Sequence, residues 1–255
     1  MEKIACITGA SSGIGRETAL VLAENGYKLI LCGRRKDRLE SLQKEISVDS
    51  TILIFDVRDL GQVQSSFASL SEDWKNIDVL INNAAIDAIP FKKRKLREKF
   101  PSSKTWDKEI NVSLKGSFNL IKFFGEEMIK KKKGSIINIG SDLSVIAPNQ
   151  KIYRSSYKNY IKPVTYSVIK HGMLGLTRYF ASLYAKDNVR VNMVSPGSIQ
   201  NNQSKELLKE LKNIIPMGRL GSYKEILGIL FFLANNESSY ITGQNILVDG
   251  GRTII

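Results

Sequence analysis

The 255-residue chain reads as an α/β protein, a doubly wound parallel sheet with helices on both faces. Three observations predict this. Short apolar runs alternate with helical patterns along the whole chain. The first run passes through a glycine-rich turn directly into a helix. Thr8, Asn82, Ser141 and Pro196 fall at or just after the ends of such runs, where a parallel sheet opens its ligand crevice.

The elements follow in order. Ile4, Ala5, Cys6 and Ile7 make the first strand, within 3–8. The turn Gly9-Ala10-Ser11-Ser12-Gly13-Ile14-Gly15 leads into a helix over 13–25, whose apolar positions include Ala19, Leu20, Leu22 and Ala23. Further strands are expected near 28–32, 51–55, 77–81, 134–140, 189–195 and 245–248, and helices near 36–46, 59–72, 105–132, 164–186, 201–212 and 222–235. No linker, internal repeat or low-complexity segment divides the chain, so 1–255 is expected to be one domain.

Composition bounds the function. A hydrophobic share of 42% can fill a sizeable core, and no long uncharged apolar stretch suggests a membrane span. The first strand is expected at the very start of the sequence, so no signal peptide is expected. Cys6 and Cys32 lie in apolar runs on neighbouring strands and are expected to be reduced core thiols of a cytoplasmic protein. His171 is the only histidine, and no Cys/His cluster offers a metal site. The net charge of +13 includes the runs Lys92-Lys93-Arg94-Lys95 and Lys130-Lys131-Lys132-Lys133. They could attract nucleic acid or an anionic membrane. Alternatively they are solvated, the second complementing a helix C-terminus, and neither kind of partner is expected.

Two features carry chemistry. The glycines of the first turn let the backbone approach a pyrophosphate, while the helix N-terminus behind them offers unpaired N–H groups and a positive dipole end. Tyr166 and Lys170 are four residues apart and share one helix face. A tyrosine is a poor acid–base group at its ordinary pKa of about 10. An ammonium beside it favours the phenolate and brings it toward the working range.

On these motifs the chain resembles the short-chain dehydrogenase/reductases, with their single-domain Rossmann fold, over nearly its whole length. Thr8 to Gly15 fits the family's cofactor loop, and Asp56-Val57 fits the acidic residue after its third strand. Asn82-Asn83-Ala84-Ala85 stands where the family usually has N-N-A-G, so that Ala85 replaces a glycine. Asn111, Ser141, Tyr166 and Lys170 are assigned to the family's catalytic tetrad, and Pro196-Gly197 to its loop after the sixth strand. The resemblance implies an NAD(P)-dependent oxidoreductase acting on CH–OH groups. Its cofactor would be held by Gly9, Ser11, Ser12, Gly13, Ile14, Gly15, Asp56, Val57, Asn83, Ala84, Pro196, Gly197 and Ile199, together with Tyr166 and Lys170. Tyr166 would pass a proton to or from the substrate oxygen, and Ser141 would hydrogen-bond that oxygen. Lys170 would assist Tyr166 and hold the nicotinamide ribose, and Asn111 would hold a water linking Lys170 to solvent.

The second strand ends in Gly33-Arg34-Arg35, where an acidic residue would bond the ribose of NAD and repel a 2′-phosphate. Cations there favour NADP(H), with Arg34 and Arg35 as phosphate ligands; NAD(H) is the alternative if they only open a solvated loop. The interval from Ser141 to Tyr166 exceeds the family's usual one, which defines an insertion at about 142–162. Its Tyr153 and Tyr157, interleaved with cations, suit a polar or phosphorylated substrate beside Ser141 and Tyr166; an oligomer contact is the other reading. The segment at about 198–212 matches the family's substrate lid in position.

The insertion and the segments Pro163–Lys170 and Leu176–Ala181 are similar to short-chain oxidoreductases of bacterial flagellin-modification and nonulosonate sugar pathways. That implies a sugar, sugar-phosphate or nucleotide-sugar substrate and a place in carbohydrate metabolism. Gly33 to Leu39 instead resembles broad-range NADP-dependent hydroxy-acid and carbonyl reductases, and a cofactor-binding regulator without catalysis is a third reading. The family's homodimers and homotetramers form through the two long helices. Leu114, Phe118, Ile121, Phe124, Met173, Leu176 and Phe180 fit either that interface or plain core packing.

Overall fold

The computed structural model describes residues 2–86, 100–156 and 160–255, except for the side chain of Ser155. Seven parallel strands form one sheet: β1 (Ile4–Thr8), β2 (Lys28–Gly33), β3 (Ser50–Ile54), β4 (Val79–Asn82), β5 (Gly134–Ile139), β6 (Val189–Pro196) and β7 (Asn245–Val248). Their spatial order is β3-β2-β1-β4-β5-β6-β7, with Ala5 beside both Leu29 and Val79. The order reverses between β1 and β4, and this places the crevice beyond their carboxyl ends.

The alternation of side chains along each strand, with both faces covered, explains why the central strands carry apolar residues at odd and even positions alike. Ile4, Cys6, Ile30, Leu80, Ile136 and Val191 face one side. There they pack on α3 (Leu60–Ala68), α5 (Gly116–Lys131) and α7 (Val164–Tyr184) through Val63, Phe67, Leu120, Phe124 and Phe180. Ala5, Ile7, Leu29, Leu31, Ile81 and Ile137 face the other. They meet α1 (Gly13–Glu24), α2 (Lys36–Glu45) and α9 (Tyr223–Ala234) through Leu22, Leu39, Ile226 and Leu230. Both cysteines are fully buried, with Cys6 Sγ 3.5 Å from Cys32 Sγ, and burial pushes the Cys32 thiol well above its usual range.

Three departures from the expected elements bear on the site. The long helix expected over 105–132 is divided: α4 (Ser103–Ile110) continues into α5 through a π-helical turn at Asn111–Lys115. Such a turn inserts a residue and rotates the side chains that follow. The insertion contains a helix of its own, α6 (Gln150–Ser156), where only a loop was expected. The helix expected to begin at 201 begins later, as α8 (Lys205–Asn213), with Ser204 accepting from the Leu207 amide as its cap. Together α6 and α8 build a small third core in which Ile152, Tyr153 and Tyr160 pack on Leu207, Leu211, Ile215 and Leu220.

The second basic run is tied to its own neighbourhood. Lys130 pairs with Glu127 at 2.7 Å, Lys133 with Asp78 at 2.7 Å, and Lys131 donates to the Ile77 carbonyl at 2.8 Å. The first run, 92–95, lies outside the described residues. No described helix is long and apolar enough to cross a membrane.

Candidate active site

A cleft of about 960 Å³ runs across the carboxyl ends of the strands. Its floor is the glycine turn after β1, held by a polar clasp to the segment after β4. Thr8 Oγ1 donates to the Ile81 carbonyl and accepts from the amides of Asn83 and Ala84, while Asn83 Nδ2 donates to the carbonyls of Thr8 and Gly9 at 3.1 and 3.2 Å. This clasp dictates two glycines. Gly9 sits at φ +66°, a left-handed conformation that side chains disfavour. A Cβ on Gly15 would stand 2.4 Å from Asn83 Nδ2 and 2.6 Å from the Gly9 carbonyl oxygen. Gly15 therefore supports the turn from behind and does not line the cleft, a correction to its expected role as a direct cofactor ligand. Thr8 and Asn82, expected to line the crevice, are likewise buried beneath it. Ala85 lies outside the positive-φ region, so its replacement of a glycine strains nothing.

The other expected cofactor residues do line the cleft. Gly9, Ser11, Ser12, Gly13 and Ile14 come from the turn. Arg34, Arg35, Asp56 and Val57 come from the ends of β2 and β3, Asn83 and Ala84 follow β4, and Pro196, Gly197 and Ile199 follow β6. Arg35 Nη2 donates to Ser11 Oγ at 2.6 Å and to Ser12 Oγ at 3.0 Å, which brings a guanidinium to the mouth of the turn. Arg34 is more open and 3.7 Å from Asp56, whose main partner is Arg58 at 2.7 Å. The Arg58 hydrogen bond holds the Asp56 carboxyl below its usual range. Arg38, not singled out in the sequence, also lines this end; its place three residues after Arg35 in the first turn of α2 was the signal available. The Arg35 pKa is lowered by burial first, then by the charges of Arg38 and Arg34. Three crowded guanidiniums beside a glycine turn fit a dinucleotide that carries phosphate at both places.

Ser141, Tyr166 and Lys170 line the middle of the same cleft. Ser141 follows β5 and is 5% exposed; its Oγ donates to Asp142 Oδ1 at 2.8 Å and accepts from the Leu143 amide at 3.2 Å. Tyr166 and Lys170 lie one turn apart near the start of α7, which begins after Pro163. Lys170 Nζ donates to the Ile139 carbonyl at 2.9 Å, and this anchor on the end of β5 keeps it 5.7 Å from the Tyr166 ring centroid.

Asn111 does not join them. It lines a separate depression with Arg58, Asp59, Gln62, Lys115 and Asn119, while Val112 and Ser113 line the cleft. Residues two apart on a helix point to different sides, and Asn111 opens the π turn that directs Ser113 inward. Asn111, expected in the tetrad, therefore lies apart from Ser141, Tyr166 and Lys170, and the polar side chain of this turn that lines their cleft is Ser113, which is 3% exposed.

The substrate end is built by the insertion and the C-terminus. Tyr153 lines it, as expected; Tyr157, expected beside it, lies outside the described residues. Burial pushes the Tyr153 phenol up to about 12 against the opposing charge of Arg252, so it stays a neutral donor at ordinary pH. Two cations here escaped the sequence reading. Arg252 pairs with Asp142 at 2.5 Å, both side chains 4% exposed. Lys162 lies 4.0 Å from the Tyr166 ring centroid. Nothing local in the sequence marks Arg252, since its partner is 110 residues away.

Comparison with known proteins agrees with this architecture. Residues 9–253 match the family model described as enoyl-(acyl carrier protein) reductase. The chain is 36% identical to the 3-oxoacyl-[acyl-carrier-protein] reductase FabG of Thermotoga maritima, over 99% of this chain and 98% of that protein. Among solved structures it resembles a gluconate dehydrogenase candidate from Agrobacterium tumefaciens, with TM-score 0.86, 28% identity and coverage of 99% and 96% of the two chains. It also resembles a short-chain dehydrogenase from Leptospira borgpetersenii with bound NAD+, with TM-score 0.83, 30% identity and coverage of 99% and 93%. The chain therefore belongs to the short-chain dehydrogenase/reductase family and is an oxidoreductase of CH–OH and carbonyl groups that uses a nicotinamide dinucleotide.

Proposed function

We propose that the protein is an NADP(H)-preferring oxidoreductase that interconverts a hydroxyl and a carbonyl on a small polar substrate, with Tyr166 as its proton-transferring residue. The observation that carries this reading is the convergence of Ser141, Tyr166 and Lys170 on one cleft whose far end holds Arg34, Arg35 and Arg38. A nicotinamide dinucleotide, when held by the glycine turn and the three arginines, would supply or accept the hydride. In the reductive direction Tyr166 gives its phenolic proton to the substrate oxygen, and in oxidation it takes one back. The Lys170 ammonium favours the phenolate left behind. Ser141 Oγ accepts from the Leu143 amide and, with substrate in place, turns its one hydroxyl proton from Asp142 Oδ1 to the same oxygen, where it stabilises developing charge. Ser113 adds a polar wall in place of Asn111.

The preference for NADP(H) over NAD(H) rests on the three arginines and on the absence of a carboxylate at Gly33 or Arg34. The polar residues Asn201, Gln203 and Tyr153 at the substrate end favour a hydroxylated molecule, a sugar derivative or hydroxy acid, over a purely apolar one. The insertion at 142–162 and the segment 198–212 act as one cap, because α6 and α8 share the third core. The chain also assembles as a homo-oligomer through α5 and α7 in this reading. Phe118, Val164, Val168, Tyr179 and Leu183 form the exposed apolar surface that supports it, whereas Ile121, Phe124, Met173 and Phe180 are core residues.

The test is NADPH oxidation and NADP reduction over a panel of sugar phosphates, nucleotide sugars, hydroxy acids and simple ketones. Turnover confined to hydroxylated substrates, faster with NADP(H), is expected. Equal turnover of apolar ketones, or a preference for NAD(H), overturns the corresponding half of the reading.

A further inference from the structure

Ser141 has one hydroxyl proton, and Asp142 Oδ1 receives it at 2.8 Å. Turning that proton to a substrate oxygen takes a donor from a carboxylate that is 3% exposed. Asp142 Oδ1 then keeps the Leu143 amide at 2.8 Å, and Oδ2 keeps Arg252 Nη1 at 2.5 Å. A buried charged acceptor that loses a donor is destabilised until another donor replaces it. Every substrate that takes the Ser141 proton meets this cost, and a substrate with a donor of its own can offset it.

The carboxylate is held where such a donor would arrive. Asp142 lines the cleft with Ser141 and Tyr166. It opens the short turn Asp142–Ser144, which is closed by the Ser141 amide donating to Ser144 Oγ at 3.1 Å. Arg252, from the turn that ends the chain, fixes it from the other side and balances its charge. The other carboxylates among the described cleft residues are committed elsewhere. Asp56 pairs with Arg58 and Arg34 at the cofactor end, and Glu17 pairs with Arg16 on α1. Two oxygens on adjacent carbons, when gauche, lie about one hydrogen-bond length apart, and Ser141 Oγ and Asp142 Oδ1 have the same spacing, 2.8 Å. A substrate whose reacting oxygen accepts from Ser141 can therefore present a neighbouring hydroxyl to Asp142 Oδ1.

We propose that Asp142 sets the substrate class: α-hydroxy ketones in reduction and vicinal diols in oxidation, the hydroxyl beside the reacting carbon donating to Asp142 Oδ1. The inference rests on the proton-transfer reading of Tyr166 given above and narrows its substrate. The exchange is simple. Ser141 gives its proton to the reacting oxygen, and the neighbouring hydroxyl gives its own to the carboxylate that Ser141 has left. A simple ketone takes the Ser141 proton and returns none. Because Ser141 must face the reacting oxygen as charge develops there, the difference between the two kinds of substrate is felt in kcat/KM.

The probes are hydroxyacetone, methoxyacetone and butanone. Methoxyacetone keeps the oxygen but lacks its proton, and butanone matches hydroxyacetone in size without the oxygen. kcat/KM with NADPH is measured for all three in the wild type, in Asp142→Asn, in Arg252→Leu and in the double variant Asp142→Ala/Arg252→Leu. The wild type should favour hydroxyacetone over both others by about ten- to a hundredfold, the worth of a hydrogen bond to a charged group. Asp142→Asn keeps an acceptor but loses the charge, so the preference should shrink by about fivefold or more. Arg252→Leu should slow all three compounds and keep the preference, because the carboxylate remains. The double variant removes the acceptor without stranding a guanidinium and should bring the ratios to about one. NADPH affinity by fluorescence titration shows that each variant is folded, and Asp142→Asn, the mildest change, carries the test if the double variant binds no NADPH. Wild-type ratios near one, as expected if water refills the carboxylate, overturn the proposal. So does a preference unchanged in Asp142→Asn, or silence on hydroxyacetone with NADPH and on propane-1,2-diol with NADP. Turnover that survives in Tyr166→Phe would defeat the proton-transfer reading itself, whereas Tyr166-dependent turnover that ignores the neighbouring hydroxyl defeats only this inference.

Discussion

Replacing Arg252 by Leu tests how the site is held together. Both members of the Arg252–Asp142 pair are 4% exposed, with Nη1 2.5 Å from Oδ2. The carboxylate also accepts from Ser141 Oγ and the Leu143 amide, each at 2.8 Å. Without the guanidinium, a buried negative charge keeps only neutral donors. Breaking such a pair from one side costs about 3–5 kcal/mol, or about 6–20 °C in Tm for a chain of this size. Asp142→Asn in the same protein removes the orphaned charge while preserving an acceptor for Ser141. The double variant should therefore recover about 1–3 kcal/mol relative to the sum of the single changes. Urea unfolding at fixed protein concentration and without cofactor reads both numbers, since bound ligand would add its own stabilisation. The reasoning also predicts a kcat loss in Arg252→Leu, because the uncompensated carboxylate holds the Ser141 hydroxyl away from the substrate oxygen. A single variant within about 1 kcal/mol of wild type, below the range for a broken buried pair, or strictly additive changes would refute it.

Four further outcomes are expected. Gly15→Ala forces a methyl to within 2.6 Å of the Gly9 carbonyl oxygen, so cofactor affinity in a fluorescence titration should fall by about tenfold or more; unchanged affinity would contradict the clasp. Arg34→Asp should lower the ratio of NADP to NAD efficiency by about ten- to a hundredfold, whereas an unchanged ratio makes Arg34 a solvated loop residue. Leu211→Ala removes a 4%-exposed side chain from the third core and should loosen the cap by about 2–5 kcal/mol, raising KM while leaving the cofactor Kd in place; equal loss of both would mean that α8 also supports the cofactor. Burial pushes Tyr27, Tyr153 and Tyr184 up to about 12, above their unfolded value of about 10. Their contribution to stability is complete below pH 10 and is lost as pH rises toward 12. Urea midpoints followed through that window should fall, and less steeply in Tyr153→Phe.

The fold was legible because both faces of the sheet are covered. Runs such as Ile4–Ile7 and Leu29–Cys32 are apolar at every position, which separates them from amphipathic helices without reference to any contact. The glycine turn was legible for a similar local reason, since its strand and helix flank it directly. That Asn111 lies apart from the cleft while Ser113 lines it was not legible, because the π turn that holds both leaves no compositional mark. Helix α6 was hidden in a stretch of mixed aromatics and cations. Its apolar side is Ile152 and Tyr153, which gain a partner only when Leu207 and Leu211 arrive from α8. Arg252 shares that difficulty, because its partner Asp142 lies 110 residues away.

The central claim is that Tyr166 moves the proton and does not simply pack in the cleft. The direct measurement compares Tyr166→Phe with the wild type in two assays on the same preparations, steady-state turnover of any substrate the wild type accepts and NADPH affinity by fluorescence titration. Turnover should fall by about a hundred- to ten-thousandfold while NADPH affinity stays near that of the wild type. Turnover close to wild type with affinity intact would contradict the assignment and move the proton to another group in the cleft.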